Sequence, residues 1–166
     1  MERLKLVENK IYTFTSLIQI VAAWRIRSDK IIFTNGCFDL LHLGHITYLA
    51  QAASMGSRLV IGLNSDTSVR LQNKGIGRPI QSEVTRSMVL ASLQFVDAVC
   101  LFNEETPVEL IRSIKPDILV KGSDWSVENI AGSDIVLANG GKVEIIPLIE
   151  GYSTTAIEEK IRDGQN

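Results

Sequence analysis

The stretch KIIFTNGCFDLLHLGHITYL, residues 30–49, decides how the rest of this chain is interpreted. Its apolar beginning breaks at Asn35-Gly36, and helical spacing of apolar residues resumes near its end, which predicts a strand, a tight loop and a helix. The chain's two histidines, His42 and His45, stand where that helix begins. Unpaired backbone N–H groups and the helix dipole would make this junction an anion site that contains two imidazoles.

The composition is that of an ordinary globular domain. Of the 166 residues, 45% are hydrophobic and 22% are charged, which suits one packed core and a single domain over residues 1–166. Seventeen basic side chains oppose nineteen acidic ones, so the net charge of −2 gives no field of the kind that nucleic-acid-binding proteins use. Any anion must therefore be bound by a local cluster of groups.

The sequence also indicates the cellular compartment and the state of the cysteines. No apolar segment is long enough to cross a bilayer and the first residues carry no apolar stretch for secretion, so we expect a cytoplasmic protein without a membrane contact. Cys37 and Cys100 stand in no metal or redox spacing, and we expect both as free thiols.

Apolar runs alternate with helical patterns along the chain. Strands are predicted at residues 31–33, 58–63, 97–101, 117–121 and 143–148. Helices are predicted to begin near Thr15 or Ser16, at Leu43, near Ser82, at a Thr106–Glu109 capping box with Pro107 in the first helical position, near Ser133, and at Ser153-Thr154-Thr155. This alternation predicts an α/β fold, a doubly wound five-stranded parallel sheet with helices on both faces. Residues 1–28 are predicted as a helical extension that packs on this domain.

The polar residues of interest fall in loops at one edge of the predicted sheet. Ligands of doubly wound sheets bind beyond the carboxyl ends of the strands. The loops at that edge span residues 35–45, 64–80, 102–106, 122–126 and 149–154. The second, with about fifteen residues, is long enough to indicate either function or disorder. The convergence of polar residues on this edge predicts a ligand site.

The histidine pair admits three interpretations. His42 and His45 are three residues apart, so a helical turn places both on one face, and Gly44 would leave room for a phosphate to approach the backbone. Alternatively, one or both rings serve the core, or Cys37, Asp39 and the histidines hold zinc. A glycine-flanked pair at a strand-to-helix turn favours the anion site.

Basic side chains could neutralise the anion. Lys74 and Arg78 lie in the 64–80 loop, and Arg86 lies off the apolar stripe of the next helix, where it is expected to be free to face a site. Solvated surface charges are the alternative for each of the three.

The later loops offer further polar groups. Lys121 and Asp124 bracket a predicted strand end, where Asp124 could instead stabilise the turn while Lys121 extends to solvent. Trp125 either packs beneath that turn or stacks on a ring. Residues 153–155 cap a helix in any case, which is compatible with phosphate binding.

The segment TNGCFDLLHLGH, residues 34–45, together with Ser153-Thr154-Thr155, resembles the two signatures of the cytidylyltransferase-like nucleotidyltransferases. The similarity continues through residues 64–66, 78–79, 86, 106–107, 120–124 and 138–141, and covers residues 30–162, which would be the catalytic core. The family is known for a Rossmann-like fold and for transferring a nucleoside monophosphate from a triphosphate to a phosphate or an alcohol.

The resemblance implies roles for individual residues. His42 and His45 would stabilise the transition state at the triphosphate, assisted by Lys74 and Arg86. Nucleotide contacts are expected from Asn35, Gly36, Cys37, Phe38, Gly44, Lys121, Gly122, Ser153, Thr154 and Thr155, the last three at the β and γ phosphates. Sugar-phosphate contacts are expected from Asp39, Asn64, Asp66, Arg78, Asp124 and Trp125. Mg²⁺ would be bound through the triphosphate of ATP and not by side chains.

Within the family, the sequence is most similar to bacterial enzymes that transfer AMP from ATP to D-glycero-β-D-manno-heptose 1-phosphate, giving ADP-heptose and pyrophosphate for lipopolysaccharide core or related glycans. Glycerol-3-phosphate cytidylyltransferases share a segment like Gly122–Trp125, but the RTEG run of those enzymes is replaced here by Leu148–Gly151. A non-catalytic nucleotide-binding module is the alternative of another class. Besides small-molecule substrates, the expected partners are a separate heptose kinase and a second copy of the chain, paired through the apolar N-terminal helix.

Overall fold

The computed structural model of the chain describes residues 2–72, 77–123 and 126–164. The strands of its single sheet are β1 (Ile11–Tyr12), β2 (Ile31–Gly36), β3 (Arg58–Asn64), β4 (Ala98–Phe102), β5 (Ile118–Gly122) and β6 (Lys142–Ile146). The helices are α1 (Glu2–Glu8), α2 (Phe14–Ile26), α3 (Leu43–Ala53), α4 (Asp66–Leu71), α5 (Glu83–Ala91), α6 (Val108–Ile114), α7 (Ser133–Ala138) and α8 (Thr154–Arg162), with a 3₁₀ turn at Val127–Asn129.

The six strands lie in the order β1-β4-β3-β2-β5-β6, and every pair is parallel. The prediction of an α/β doubly wound parallel sheet is confirmed, but the prediction of five strands was wrong by one. The additional strand, β1, pairs Ile11 and Tyr12 with β4. Two residues are too few to show the alternation by which a strand is recognised, so no sequence pattern indicated this strand.

Each face of the sheet buries its own apolar cluster. One face packs against α2, α6 and α7, whose buried contributions include Leu17, Ile111 and Val136. The other packs against α3 and α5, for example through Leu49 and Leu90. Because α2 supplies a fully buried core residue and β1 extends the sheet, the predicted N-terminal extension is built into the domain.

Two local predictions were wrong. The 64–80 loop contains α4, because the Ser65 hydroxyl accepts the Ser68 N–H at 3.1 Å and caps a helical turn where the sequence pattern indicated only a strand end. The capping box at Thr106 is absent, since α6 begins one residue later with Pro107 as its N-cap, and Glu109 pairs with Arg112 instead.

Cys37 and Cys100 are both thiols and form no disulfide, as predicted, and burial raises the pKa of Cys100 to about 11. Among the described residues, none of the helices combines the length and the hydropathy that a membrane span requires.

Candidate active site

The candidate site lies where β2 and β5 separate. Strand β2 pairs with β3 along the whole of Ile31–Gly36, but with β5 at Ile32 and Phe33 alone. Strand β3, which follows β2 in the chain, is its neighbour on one side, and β5 is its neighbour on the other. The strand order therefore reverses between β2 and β5. Such a reversal opens a crevice beyond the carboxyl ends of the strands, where ligands of this class of sheet bind.

Side chains bridge the two diverging strands. The Tyr48 hydroxyl, on α3, donates to the Val120 carbonyl of β5 at 2.9 Å and lies 2.6 Å from the Thr34 hydroxyl of β2. Because the single Tyr48 proton is directed at a carbonyl, Thr34 must be the donor of the second bond. The Lys121 ammonium donates to the Asn35 carbonyl at 3.0 Å. These bonds fix the width of the crevice where backbone pairing has ended.

His42 is the N-cap of α3. Its backbone is extended, and its Nδ1 accepts the backbone N–H of His45 at a long 3.4 Å. In the neutral ring the proton must then be on Nε2, which leaves that N–H available to a ligand. The backbone N–H groups of Leu43 and Gly44 precede the first helical bond and have no acceptor among the described residues. The helix therefore begins, as predicted, as a set of donors.

His45 lies in the first turn of α3. Its ring stacks on that of His42 with centroids 3.8 Å apart and an interplanar angle of 21°, and the Phe38 ring meets it edge-on at 5.3 Å. Burial, and secondly the charge of His42, lower the pKa of His45 to about 4, against a smaller opposing effect of the Leu40 backbone. Burial also lowers the pKa of His42. Both rings are therefore neutral donors or acceptors at neutral pH until an anion approaches.

Gly44 lies directly against the His42 ring. A Cβ at this position would lie 3.1 Å from Cε1 and Nδ1 of His42 and 3.4 Å from the Cβ of Tyr152. The space beside Gly44 is therefore filled by the His42 imidazole, and the glycine lets that ring lie close against the helix.

The loop between β2 and α3 is shaped by Phe38. Its φ of 45° is left-handed, which is costly for an aromatic residue, and its ring packs on Gly36, where a Cβ would come within 3.0 Å. Together with the edge contact to His45, this placement makes Phe38 a support of the imidazole. The neighbouring Cys37 donates its S–H to Oε1 of Gln72 at 3.3 Å.

Arg86 is not free to face the site, so that expectation was wrong. Its guanidinium is buried and donates to the carbonyls of Cys37, Asn64 and Gln81 at 2.7, 2.8 and 3.0 Å. It also forms an ion pair with Asp66 at 2.7 Å. An arginine that lies off the apolar stripe of its helix is drawn inward here, because unpaired loop carbonyls offer it acceptors. Arg86 thereby holds the loop that precedes the histidines.

Asp39 and Arg78 are joined to each other and to α8. The buried Asp39 carboxylate accepts the backbone N–H groups of Ile80 and Gln81 and an N–H of Arg78 at 3.0 Å. The second guanidinium nitrogen of Arg78 donates to Glu158 of α8 at 2.8 Å. Both residues predicted at the sugar phosphate are thus engaged within the domain.

Three buried side-chain polar atoms lack a partner among the described residues, namely Asn35 Oδ1, His45 Nδ1 and Asn64 Oδ1. The Asn64 amide is oriented by its donation to Ser68 Oγ at 2.9 Å, because the Ser68 hydroxyl itself donates to the Glu104 carbonyl. All three atoms belong to the carboxyl ends of β2 and β3 or to the first turn of α3. Unfilled buried acceptors are rare, and their presence at one edge of the sheet indicates groups that a ligand can satisfy.

The remaining predicted residues lie around the same edge. Gly122 is the buried last residue of β5. The Ser153 hydroxyl accepts the Ala156 N–H at 3.0 Å and caps α8, as predicted, with Thr154 half-buried and Thr155 exposed. Lys74, Asp124 and Trp125, which the sequence also placed in the site, lie outside the described residues. Within the described ranges, no group of three or more His, Cys, Asp or Glu could hold a metal, so the zinc interpretation finds no support there.

Sequence reasoning missed Tyr48, Tyr152 and Glu158, which support the site from outside the motifs. Tyr48 had a signal, since it lies three residues after His45 on the face of α3 that turns inward, where a phenol needs a partner. Glu158 had none, because its partner Arg78 is 80 residues away in the chain.

The doubly wound parallel sheet, with paired imidazoles at a helix N-terminus in the crevice at its switch point, has the arrangement of a nucleotide-binding α/β enzyme. A model of the cytidylyltransferase-like family matches residues 33–160, and the chain belongs to this family.

Two relatives are each described as a bifunctional protein HldE. That of Koribacter versatilis (strain Ellin345) is 48% identical over 159 residues, which are 96% of this chain and 32% of the relative. That of Caulobacter sp. (strain K31) is 54% identical over 147 residues, which are 89% of this chain and 30% of the relative. The chain therefore spans about a third of the length of these curated relatives.

Two solved structures share the architecture. The lipopolysaccharide core biosynthesis protein of Thermoplasma volcanium GSS1 is 28% identical with a TM-score of 0.60, and the match covers 75% of this chain and 99% of that protein. Pantoate-beta-alanine ligase from Francisella tularensis, with 18% identity, a TM-score of 0.63 and coverage of 94% of this chain and 81% of the ligase, shows the fold alone.

Proposed function

We propose that the chain transfers AMP from ATP to D-glycero-β-D-manno-heptose 1-phosphate and releases ADP-heptose and pyrophosphate. Membership of the cytidylyltransferase-like family and relatives about half identical over nearly the whole chain support nucleotidyl transfer. The choice of heptose rests on the sequence resemblance and is consistent with a similar structure that is described as a lipopolysaccharide core biosynthesis protein.

The observation that carries the proposal is the stacked His42–His45 pair at the N-terminus of α3, beside donors without acceptors. When an anion binds, a neutral imidazole can take up a proton or donate a hydrogen bond. Such groups are suited to a polyphosphate, because its charge is redistributed during the reaction.

No general base is needed for this reaction. A sugar phosphate has a second pKa near 6, so at neutral pH most of it is dianionic and its oxygen can attack the α-phosphorus directly. A bond forms between that oxygen and the α-phosphorus, and the bond from the α-phosphorus to the bridging oxygen breaks as pyrophosphate leaves. The enzyme must bring two anions together in line and stabilise the charge that develops, which is the task of positioned donors.

The donors divide by position. His42 Nε2 and the N–H groups of Leu43 and Gly44 would face the reacting phosphate, and His45 would act beside them. Residues 153–155 would hold the β and γ phosphates from the N-terminus of α8. Lys74 is proposed at the phosphates, and Asp124 and Trp125 at the acceptor, from the resemblance alone.

We expect Mg²⁺ to enter this site bound to the triphosphate. The Asp39 carboxylate has its acceptors filled and Asp66 is paired with Arg86, so neither is spare for a metal. Mg²⁺ bound to the triphosphate would neutralise charge and favour departure of pyrophosphate.

The relatives are described as bifunctional and are about three times as long as this chain, so they give no support to a separate kinase. A kinase in a separate protein and a homodimer stay proposals. Size-exclusion chromatography with light scattering tests the second of these.

Pyrophosphate release, measured with ATP and CTP against heptose 1-phosphate, glycerol 3-phosphate and other phosphorylated acceptors, tests the function. We expect release with ATP and heptose 1-phosphate. Release with CTP and glycerol 3-phosphate alone would replace the proposal by the cytidylyltransferase, and no release with any pair would leave a nucleotide-binding module.

A further inference from the structure

Helix α8 carries the proposed phosphate contacts at its N-terminus but has little apolar attachment to the domain. None of its residues is buried, and Ile161 is 73% exposed. Ser153 and Thr154 can bind a triphosphate productively only if this helix has a fixed place, since misplacement by about 1 Å is costly in an active site. Specific polar contacts are therefore expected to contribute to the attachment of α8, beside the half-buried Ala156 and Ile157.

One such contact is a bridge of three side chains, Asp39–Arg78–Glu158. Arg78 bonds Asp39 with one terminal nitrogen at 3.0 Å and Glu158 with the other at 2.8 Å. Among the described residues, this is the ion pair that joins α8 to the rest of the domain, because the other one on the helix, Arg162 with Asp163, is local.

The two ends of the bridge differ in rigidity. The Asp39 side chain is 4% exposed, and its carboxylate also holds the backbone N–H groups of Ile80 and Gln81, so that end is fixed in the loop before the histidines. The Glu158 side chain is 35% exposed and depends on Arg78. A break in the bridge would therefore release α8 and leave the loop in place.

The bridge is also well placed along the helix. Glu158 lies four residues after Thr154, one turn away on the same face of α8. Just before the helix, Tyr152 lies against the start of α3 beside Gly44. Tyr152, before the helix, and Glu158, one turn along it, thus lie against the histidine turn and the Arg78 guanidinium, respectively.

We propose that Arg78 is a positioning residue, and that the Asp39–Arg78–Glu158 bridge places the first turn of α8 opposite His42 and His45 and thereby sets the affinity for the nucleoside triphosphate. The proposal rests on the proposed function for its ligand. It assigns Arg78 to the placement of α8 and the nucleotide, where the sequence suggested a contact with the sugar phosphate.

Glu158→Gln tests the bridge, because it removes the charge while keeping the length and helix propensity of the side chain. Glu159→Gln is the matched control, since this neighbour on α8 is exposed and its side chain has no ion pair among the described residues. Arg78→Lys is a second variant, in which one ammonium replaces the two nitrogens that Arg78 uses.

Three measurements are made on the 166-residue chain. Amide hydrogen exchange of residues 154–162, without substrate, reports the placement of α8, and we expect exchange about threefold faster in Glu158→Gln, as for loss of a partly exposed ion pair. Calorimetry with ATP and Mg²⁺, without acceptor, should show affinity weakened about three- to tenfold. The KM of the acceptor should change less than the KM of ATP.

Equal exchange in Glu158→Gln and Glu159→Gln would overturn the bridge, and faster exchange with unchanged ATP affinity would overturn its role in nucleotide binding. A larger change in the KM of the acceptor than in the KM of ATP would favour the alternative that Arg78 contacts the sugar phosphate. If the wild-type chain binds ATP but releases no pyrophosphate, the proposed function is contradicted. The hydrogen-exchange and ATP-affinity comparisons would still decide whether the bridge places α8.

Discussion

The imidazoles of His42 and His45 stack with their centroids 3.8 Å apart, and the Nδ1 atom of the first accepts the backbone N–H of the second. This relationship makes one ring the N-cap of the helix that carries the other. It fixes the tautomer of neutral His42, and it means that a proton on one ring disfavours a proton on the other. A polyanion is the kind of ligand that can offset this repulsion.

Replacing His45 by alanine should reduce kcat by roughly 100- to 1,000-fold, the usual cost of losing one donor to a developing charge. The free energy of unfolding should also fall, because the variant loses the ring contacts of His45 with His42 and Phe38, so kcat is compared on protein shown to be folded. Pyrophosphate release under saturating substrates gives kcat, and calorimetry with ATP shows whether binding persists. Full activity in His45→Ala would remove this ring from the mechanism.

Acid should destabilise the protein through His45. Its pKa is about 4 in the folded state against an ordinary 6.5, so the unfolded chain takes up a proton first as the pH falls. Stability from the neutral ring is complete above pH 6.5 and is lost between pH 6.5 and 4, by about 3 kcal/mol from this group. Urea unfolding at pH 7, 6, 5 and 4 measures the decline.

The control for this decline is His45→Asn, which does not titrate in that range. Its free energy of unfolding should fall less steeply between pH 6.5 and 4 than that of the wild type, whatever its value at pH 7. Parallel curves for the two proteins would show that His45 is not the titrating group.

Gly44→Ala should lower activity without lowering stability. Alanine favours a helix by up to about 1 kcal/mol over glycine, but its Cβ would stand 3.1 Å from the His42 ring and displace it by a few tenths of an ångström. We expect kcat to fall roughly tenfold at an unchanged or higher melting temperature.

A double-mutant cycle with His42→Ala identifies the cause. If Gly44→Ala acts through the His42 ring, it should have no further effect on kcat once that ring is absent. Additive losses in the double variant would show that the glycine serves the phosphate or the backbone directly.

The sequence predicted most elements of this fold and the strand-to-helix turn at the histidines because both depend on local patterns. The run before Asn35 and the spacing after His45 are properties of neighbouring residues, and the cap at Ser153 is confirmed for the same reason. β1 was missed because Ile11 and Tyr12 become a strand only by pairing with β4.

The errors at side chains share one cause, which is that partners lie far apart in the chain. Arg86 was expected to be free because its helix face is polar, whereas its acceptors come from residues 37, 64 and 66. The contact of Gly44 with the His42 ring likewise depends on the folded turn. The identity of a residue indicates which kinds of hydrogen bond and ion pair it can form, and only the fold shows which partner lies within reach.

Arg86 gives a final prediction, on stability. Arg86→Met keeps the length and apolar stem of the side chain but leaves the Cys37 and Asn64 carbonyls without their donor and Asp66 without its cation. We expect the free energy of unfolding to fall by about 3 kcal/mol, as when one partner of a buried ion pair is removed. Arg112→Met is the control, because Arg112 pairs with Glu109 on the surface, with both side chains more than half exposed, and should cost at most about 1 kcal/mol. Urea unfolding of the two variants at pH 7 makes the comparison. Similar losses would mean that the loop before the histidines is held by something other than Arg86, whereas a selective loss would make this arginine the structural support of the histidine turn.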